Sequence, residues 1–317
     1  MKLQDLAKFS VLVFGDLMLD RYLHGDVSRI SPEAPVPVLE ERRRFDAPGG
    51  AANVVNNLAA LGARVLPLGL VGPDEAGARI RELLSHENVV TDGILVTEDR
   101  ETTLKTRIIA GSHHVVRVDR EQILPPAPET DKRLRHLLAN LVPTVDAVII
   151  QDYNKGLVQP ELVEWLVQLC REQQVLTAVD PKREHFFAYH GVDLFKPNLK
   201  EARQALQAEL PATATLEEIG RTLRERLQCR HLVITRGAEG MMTFDQEVIH
   251  RIPTEVQDVI DVSGAGDTVI AALVLGLLSG STLVEAARFA NTCAGLVCQE
   301  LGAVPVRLEK LRECWHE

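Results

Sequence analysis

The sequence predicts an α/β protein: a largely parallel sheet with helices on both faces, and a small antiparallel sheet set apart from it. Three observations carry this. Short, continuous apolar runs recur along the chain and each ends in a turn and a polar group, as parallel strands buried on both faces do. Stretches of helical periodicity separate several of these runs. Two regions break the pattern with segments that read as exposed or edge strands.

Taken in order, Val11-Leu12-Val13-Phe14 runs into Gly15-Asp16, and Ala147-Val148-Ile149-Ile150 into Gln151-Asp152. Thr177-Ala178-Val179 runs into Asp180-Pro181, Leu194-Phe195 into Lys196-Pro197-Asn198, and Leu232-Val233-Ile234 into Thr235-Arg236-Gly237. Helices are predicted over 160–173 and 216–227, among others. In such sheets the ligand lies beyond the carboxyl ends of the strands, and here those ends carry Asp, Asn, Lys and Thr. The off-pattern segments are Pro35-Val36-Pro37-Val38-Leu39 and Thr103-Leu104-Lys105-Thr106-Arg107-Ile108. A further run, Val115-Val116-Arg117-Val118, follows the turn-like Gly111-Ser112-His113-His114, whose histidines read as surface residues. Together these segments predict a lid, over about 17–45 and 98–120, on a single domain spanning 1–317. A half-exposed apolar sheet tends to be covered by a partner, so a homodimer through the lid is expected.

Composition bounds the function. Of 317 residues, 45% are hydrophobic, which is enough for a large core, and the net charge of -10 argues against a broad nucleic-acid surface. No apolar stretch suits a bilayer span and the N-terminus lacks the pattern of a signal peptide, so a cytoplasmic protein without membrane contact is expected. Cys170, Cys229, Cys293, Cys298 and Cys314 are odd in number and have no CxxC spacing; they read as buried reduced thiols.

Three segments carry chemistry. Asp261-Val262-Ser263-Gly264-Ala265-Gly266-Asp267-Thr268 precedes a run of helix formers. A tight loop entering a helix presents consecutive backbone N–H groups, which make an anion site. Phosphoryl transfer needs such donors and a base on the attacking hydroxyl; Gly264, Ala265 and Gly266 can supply the first and Asp267 the second. The alternative is that Asp267 only caps the helix. In Pro48-Gly49-Gly50-Ala51-Ala52-Asn53 the glycines let a polar ligand approach the backbone, and Asn53 offers a donor and an acceptor suited to sugar hydroxyls. Close helix–sheet packing is the alternative there. In Asn198-Leu199-Lys200-Glu201 an amide and a carboxylate three apart can hold Mg²⁺ through water, or form a capping box, or both. Neither a P-loop nor a GxGxxG motif is present.

Together and in this order, these segments resemble the ribokinase-like (phosphofructokinase-B-type) carbohydrate kinase family over essentially the whole chain. The resemblance implies a ribokinase-like three-layer fold with a central mostly parallel sheet and a small antiparallel β lid. A closer resemblance is to the kinase domain of the heptose-7-phosphate kinase/heptose-1-phosphate adenylyltransferase enzymes. It rests on segment 15–38 (GDLMLDRYLHGDVSRISPEAPVPV), Asp152-Tyr153-Asn154-Lys155-Gly156, Asp180-Pro181-Lys182, Pro197-Asn198-Leu199 and Ile252-Pro253-Thr254. This implies an ATP-dependent kinase acting on the anomeric hydroxyl of D-glycero-D-manno-heptose 7-phosphate, on the route to ADP-heptose for surface glycans such as lipopolysaccharide.

By the same resemblance Asp267 is the base and Gly264, Ala265 and Gly266 the anion hole. Asn198 and Glu201 hold Mg²⁺ through water. Thr235 and Gly237 lie near the nucleotide phosphates or ribose, and Asn291 near the adenine. Asp261, with backbone near Gly302, either holds a monovalent cation such as K⁺ or caps a strand end. Asp16, Asp20, Gly49, Gly50 and Asn53 bind sugar hydroxyls, and Lys105, Arg107, Arg117, Lys155 and Lys182 are candidates for a sugar phosphate. Departures exist. The chain ends at Glu317 without an HxGH motif, so a monofunctional kinase or isolated domain is expected. Gln151 stands where a small hydroxyl residue is common, Lys196 replaces a neutral residue and Arg120 an aromatic. Competing readings keep the fold with another acceptor (fructose 6-phosphate, tagatose 6-phosphate, a free ketose or a nucleoside), or make the chain a non-catalytic sugar or nucleotide sensor.

Overall fold

The apolar run at 11–14 sends its side chains to two sides: Val11 and Val13 enter one buried cluster, Leu12 and Phe14 another. That is the alternation of a strand covered on both faces, and it sets the layers of the molecule. The computed structural model describes residues 1–111, 113–245, 248–254 and 258–315; Ser112, in the expected turn, lies outside them.

The first half contains β1 (Ser10–Gly15), β2 (Leu17–Ile30), β3 (Pro37–Gly50), α1 (Ala51–Ala60), β4 (Arg64–Val71), α2 (Glu75–Leu83), β5 (Ile94–Val96), β6 (Thr103–Ala110), β7 (His113–Arg120) and α3 (Pro128–Leu141). The second contains β8 (Ala147–Gln151), α4 (Pro160–Gln173), β9 (Leu176–Asp180), β10 (Leu194–Phe195), α5 (Leu199–Ala205), α6 (Leu216–Leu227) and β11 (His231–Thr235). It closes with β12 (Met241–Asp245), β13 (Val248–Ile252), α7 (Ala265–Leu278), α8 (Leu283–Cys298) and α9 (Leu308–Cys314).

The main sheet has the order β13-β12-β11-β10-β9-β8-β1-β4-β5, parallel from β11 to β5 and antiparallel at β12 and β13. α1, α2, α7, α8 and α9 contribute to one buried cluster, and α3 to α6 to the other. The registers align the strand ends. Gly15 pairs with Gln151, Gln151 with Asp180, and Val179 with Phe195. Asp16, Gln151, Asp180, Lys196 and Thr235 therefore follow one another along a single edge of the sheet, at the carboxyl ends, where a ligand belongs.

α7 is apolar around its circumference and buried from Asp267 to Gly276, as a helix in the middle of a large core must be. It lies close against α8: a Cβ on Gly276 would stand 2.7 Å from the Ala286 Cβ.

The small sheet has the order β3-β2-β6-β7. Its two outer pairings are antiparallel, and β2 with β6 is parallel. The segment at 103–108 is therefore an interior strand and not an edge, because β2 pairs on one side of it and β7 on the other. Tyr22 stacks on Phe45 with ring centroids 4.7 Å apart, over Ala47 and Ile109. The distal part is bare: Ile30, Val116 and Val118 are exposed, and His113 and His114 face solvent as expected. The cysteines differ in part from expectation. All are free, and Cys170, Cys229 and Cys293 are buried, but Cys298 is only partly so and Cys314 is exposed, since it ends the surface helix α9. Among the described residues no helix is long and apolar enough to cross a membrane.

Candidate active site

Asp267 is the third residue of α7, whose N-cap Gly264 has φ +80°. A side chain on Gly264 would be strained, and its Cβ would meet the Asn53 amide at 2.5 Å. The leading N–H groups of a helix have no acceptor within it; of these, Ala265 N–H turns back to the Val262 carbonyl at 3.3 Å, while Gly266 stays exposed.

The Asp267 carboxylate is 4% exposed and is held by three neutral donors. Asn53 Nδ2 donates to Oδ2 at 2.9 Å, while Gln151 Nε2 at 3.0 Å and the Tyr153 hydroxyl at 2.9 Å both donate to Oδ1. Burial, with the nearby Asp180 charge, pushes its pKa up to about 7, against the pull of Asn53, Tyr153 and Lys196. Burial and the Asp267 charge push the Tyr153 phenol far up, so it remains a donor. Behind Asn53 lies a buried relay: Thr268 Oγ1 donates to Asn57 Oδ1, and Asn57 Nδ2 donates to the Asn53 carbonyl and Oδ1.

Gln151 Nε2 also donates to Asp180 Oδ2 at 3.0 Å, and Asp180 Oδ1 pairs with Lys196 Nζ at 3.1 Å. Lys196 is 2% exposed. A Cβ on Gly266 would stand 3.8 Å from its ammonium, so this buried cation adjoins the loop. Gln151, Tyr153, Asp180 and Lys196 carry no site role in the sequence reading. Three of them end apolar runs, as Asp16 does, and that signal could have found them. Tyr153 had none.

Past the end of β1, Asp16 Oδ2 accepts the Tyr153 N–H at 2.8 Å and the Lys155 N–H at 3.1 Å. Burial, then the Asp152 charge, lifts its pKa to about 6. Gly50, at φ +56°, lets the chain fold onto this residue, where Ala51 N–H donates to the Asp16 carbonyl at 3.0 Å. A Cβ on Gly49 would come within 2.9 Å of Asp20 Cγ. Asp20 pairs with Arg107 at 2.8 Å, and the guanidinium lies over the Tyr22 ring. Lys155 reaches Glu121 at 3.0 Å, and Lys105 reaches the same residue at 3.6 Å. Arg117 is more exposed and pairs with Asp119 at 2.8 Å; Arg120 pairs with Asp74 at 3.8 Å.

Lys182 differs from the other cations. It donates to Glu201 Oε1 at 2.8 Å and sits 4.9 Å from the Tyr153 ring centroid, which attaches it to the other end of the site. There Asn198 and Glu201 form a reciprocal capping box on α5. A groove of about 510 Å³ runs between Asn198, Lys200 and Arg203 on one side and Thr235 and Gly237 on the other. Gly237 has φ +58° and open space around it. Asn291, nearly buried on α8, donates to the Pro253 carbonyl at 2.9 Å. Asp261 accepts the Ser263 N–H and the Gly302 N–H, both at 2.9 Å. Burial raises its pKa, but these hydrogen bonds outweigh it and hold the group below the usual range.

Comparison with known proteins gives a consistent picture. The profile of the family described as pfkB family carbohydrate kinase matches residues 8–310. The chain is 40% identical over 307 residues to the bifunctional protein HldE of Wolinella succinogenes, covering 97% of this chain and 65% of that protein. It is 41% identical over 312 residues to the bifunctional protein HldE of Desulfatibacillum aliphaticivorans, covering 97% of this chain and 64% of that protein. The chain thus spans just under two-thirds of these relatives. Among solved structures, Arabidopsis thaliana ribokinase complexed with ribose and ATP superposes with TM-score 0.74 at 18% identity, over 98% of this chain and 99% of that one. Phosphofructokinase-2 from Escherichia coli in complex with potassium gives 0.78 at 19% identity, over 96% and 97%. At these identities the structural likeness speaks for the fold.

Proposed function

Because the chain belongs to the pfkB family of carbohydrate kinases, we propose that it transfers the γ-phosphoryl group of ATP to the anomeric hydroxyl of D-glycero-D-manno-heptose 7-phosphate, in the cytoplasm. The observation that carries the reading is a buried carboxylate with its pKa near 7 at the head of a helix. It sits between an acceptor end at Asp16 and a groove at Thr235 and Gly237. The heptose assignment is supported by segment 15–38 and by the 40% identity to HldE proteins.

In this reading Asp267 removes the proton from the acceptor hydroxyl as its oxygen attacks the γ-phosphorus. Oδ1 already accepts two hydrogen bonds and Oδ2 only one, so Oδ2 is the oxygen free to take that proton. The N–H groups of Gly264 and Gly266, with the ammonium of Lys196, face the charge on the transferred group, and the Ala265 N–H joins them on leaving the Val262 carbonyl. Thr235, Gly237 and Asn291 serve the nucleotide. Asp16, Asp20, Gly49, Gly50 and Asn53 serve the sugar hydroxyls, and Lys105, Arg107, Arg117 and Lys155 its phosphate, on exchanging their present carboxylate partners. Lys182 suits the nucleotide end better than the sugar phosphate.

Each Glu201 oxygen accepts one hydrogen bond and retains acceptor capacity, so Glu201 with Asn198 fits a water-mediated Mg²⁺. That ion supplies neutralisation of phosphate charge when bound. Asp261 is in the same condition and suits K⁺. The exposed lid valines suit a homodimer.

Lys196 favours a second acceptor as the alternative, since it adds a cation that the resembling heptose kinases lack. The test is ADP release with Mg-ATP over a panel of D-glycero-D-manno-heptose 7-phosphate, fructose 6-phosphate, tagatose 6-phosphate, ribose and adenosine. Turnover on the heptose phosphate alone is expected. Turnover on another sugar overturns the acceptor, and ATP binding without turnover on anything favours a sensor.

A further inference from the structure

Gln151 has two polar ends, and the reaction proposed above employs one of them. The residue closes β8 and is fully buried, at a position where a small hydroxyl residue is common among the resembling kinases. Its Nε2 donates to Asp267 Oδ1 and to Asp180 Oδ2, both at 3.0 Å. With carboxylates on both sides, the amide is oriented with its only donor group toward them. Its carbonyl oxygen Oε1 is thereby turned elsewhere, buried and without a hydrogen-bond partner.

Asp16 Oδ1 is in the same condition, one residue beyond the end of the neighbouring strand, where Gly15 pairs with Gln151. Glycine is required at that register position, since a Cβ there would stand 2.1 Å from the Gln151 carbonyl oxygen. Buried acceptors without donors are rare, because desolvation is then uncompensated. Two of them on adjacent strand ends, one on the very side chain that holds the base, ask for a ligand bearing neighbouring hydroxyls.

We propose that Gln151 is a specificity-determining residue, whose Oε1 accepts a hydrogen bond from the hydroxyl adjacent to the one being phosphorylated. Its Nε2 meanwhile aligns Asp267, so recognition of the neighbouring hydroxyl and placement of the base are joined in one amide. A serine at this position can bridge neither pair of partners at that reach. The inference rests on the kinase reading and deepens it at the acceptor end.

The test compares kcat and KM of the wild type and Gln151→Met on D-glycero-D-manno-heptose 7-phosphate and its 2-deoxy analogue. Should another sugar of the panel be the one turned over, that sugar and its deoxy analogue replace them. Methionine keeps the unbranched length and removes both polar ends. The wild type is expected to lose at least about tenfold in kcat/KM on the deoxy acceptor, whereas Gln151→Met, slower on both, discriminates by less than about threefold. If Gln151→Met is slower yet keeps the wild-type ratio, the residue only positions the base and the specificity role is overturned. If the wild type turns over both acceptors equally, the role is overturned with no variant needed, so the result does not depend on how the variant folds. Absence of turnover on every acceptor overturns the kinase reading and this inference together, while turnover on a different sugar overturns only the heptose assignment.

Discussion

Asp267 stands in the first turn of α7 but does not cap it, since its oxygens accept from Asn53, Gln151 and Tyr153, and its part in the reaction can be tested directly. Asp267→Asn should lower kcat by roughly 10²- to 10⁴-fold, the usual contribution of general base catalysis, while the KM for ATP changes little. In the wild type, kcat/KM should rise with pH through about 7, because the base must be ionised and burial holds its proton to that pH. Steady-state kinetics across pH checks both, and a profile flat from pH 5 to 8 would remove Asp267 from the role. At this scale the sequence showed Asp267 and Asn53, since glycines before a helix mark a place where backbone meets ligand. It did not show that Asn53 donates to Asp267, or that Gln151 and Tyr153 share its other oxygen. Those contacts join residues more than a hundred positions apart, and register and layer stacking create them, not local pattern.

Elements show the same division. β1, β8, β9, β10 and β11 were legible as apolar runs, and α4 and α6 match their periodicity from end to end, because strands and helices buried by the main sheet have one dominant neighbour. β2 was not legible as a strand. Its burial declines along fourteen residues from core to solvent, so no single period describes it. α5 poses a separate question, since Asn198 and Glu201 both cap it and fit a metal. Glu201→Gln keeps the box, where Gln substitutes for Glu, but removes the charge beside Lys182. The melting temperature should therefore hold while the KM for Mg-ATP rises several-fold. A fall in melting temperature with unchanged KM would assign Glu201 to the cap alone. Asn198→Ala, in contrast, should cost about 0.5–2 kcal/mol of stability.

Over the whole molecule, buried acids at the site oppose stability at neutral pH. Asp16 and Asp267 have folded pKa values of about 6 and about 7, above an unfolded Asp near ~4. The native state thus binds their protons more tightly, and their contribution is present below about pH 4 and lost as pH rises through about 6 to 7. Thermal melts of Asp16→Asn against wild type should show the difference moving in the variant's favour over that window, by roughly 3 kcal/mol at most. A difference independent of pH would contradict the buried-charge account. The lid makes a second prediction at this scale. Val118→Asp, on the exposed face of β7, should convert a dimer to a monomer by light scattering; a wild type that is already monomeric rules out pairing through the lid.

Asp16 is also the single residue between β1 and β2. Its carboxylate therefore sits at the fulcrum of a lever whose long arm is the small sheet. A fourteen-residue strand reaches about 45 Å, so tilting it by about 10° sweeps the tip through roughly 8 Å while the carboxylate at the pivot scarcely shifts. The far tip of the small sheet can then swing with little displacement of Asp16, and whatever immobilises that tip also steadies the root of β2.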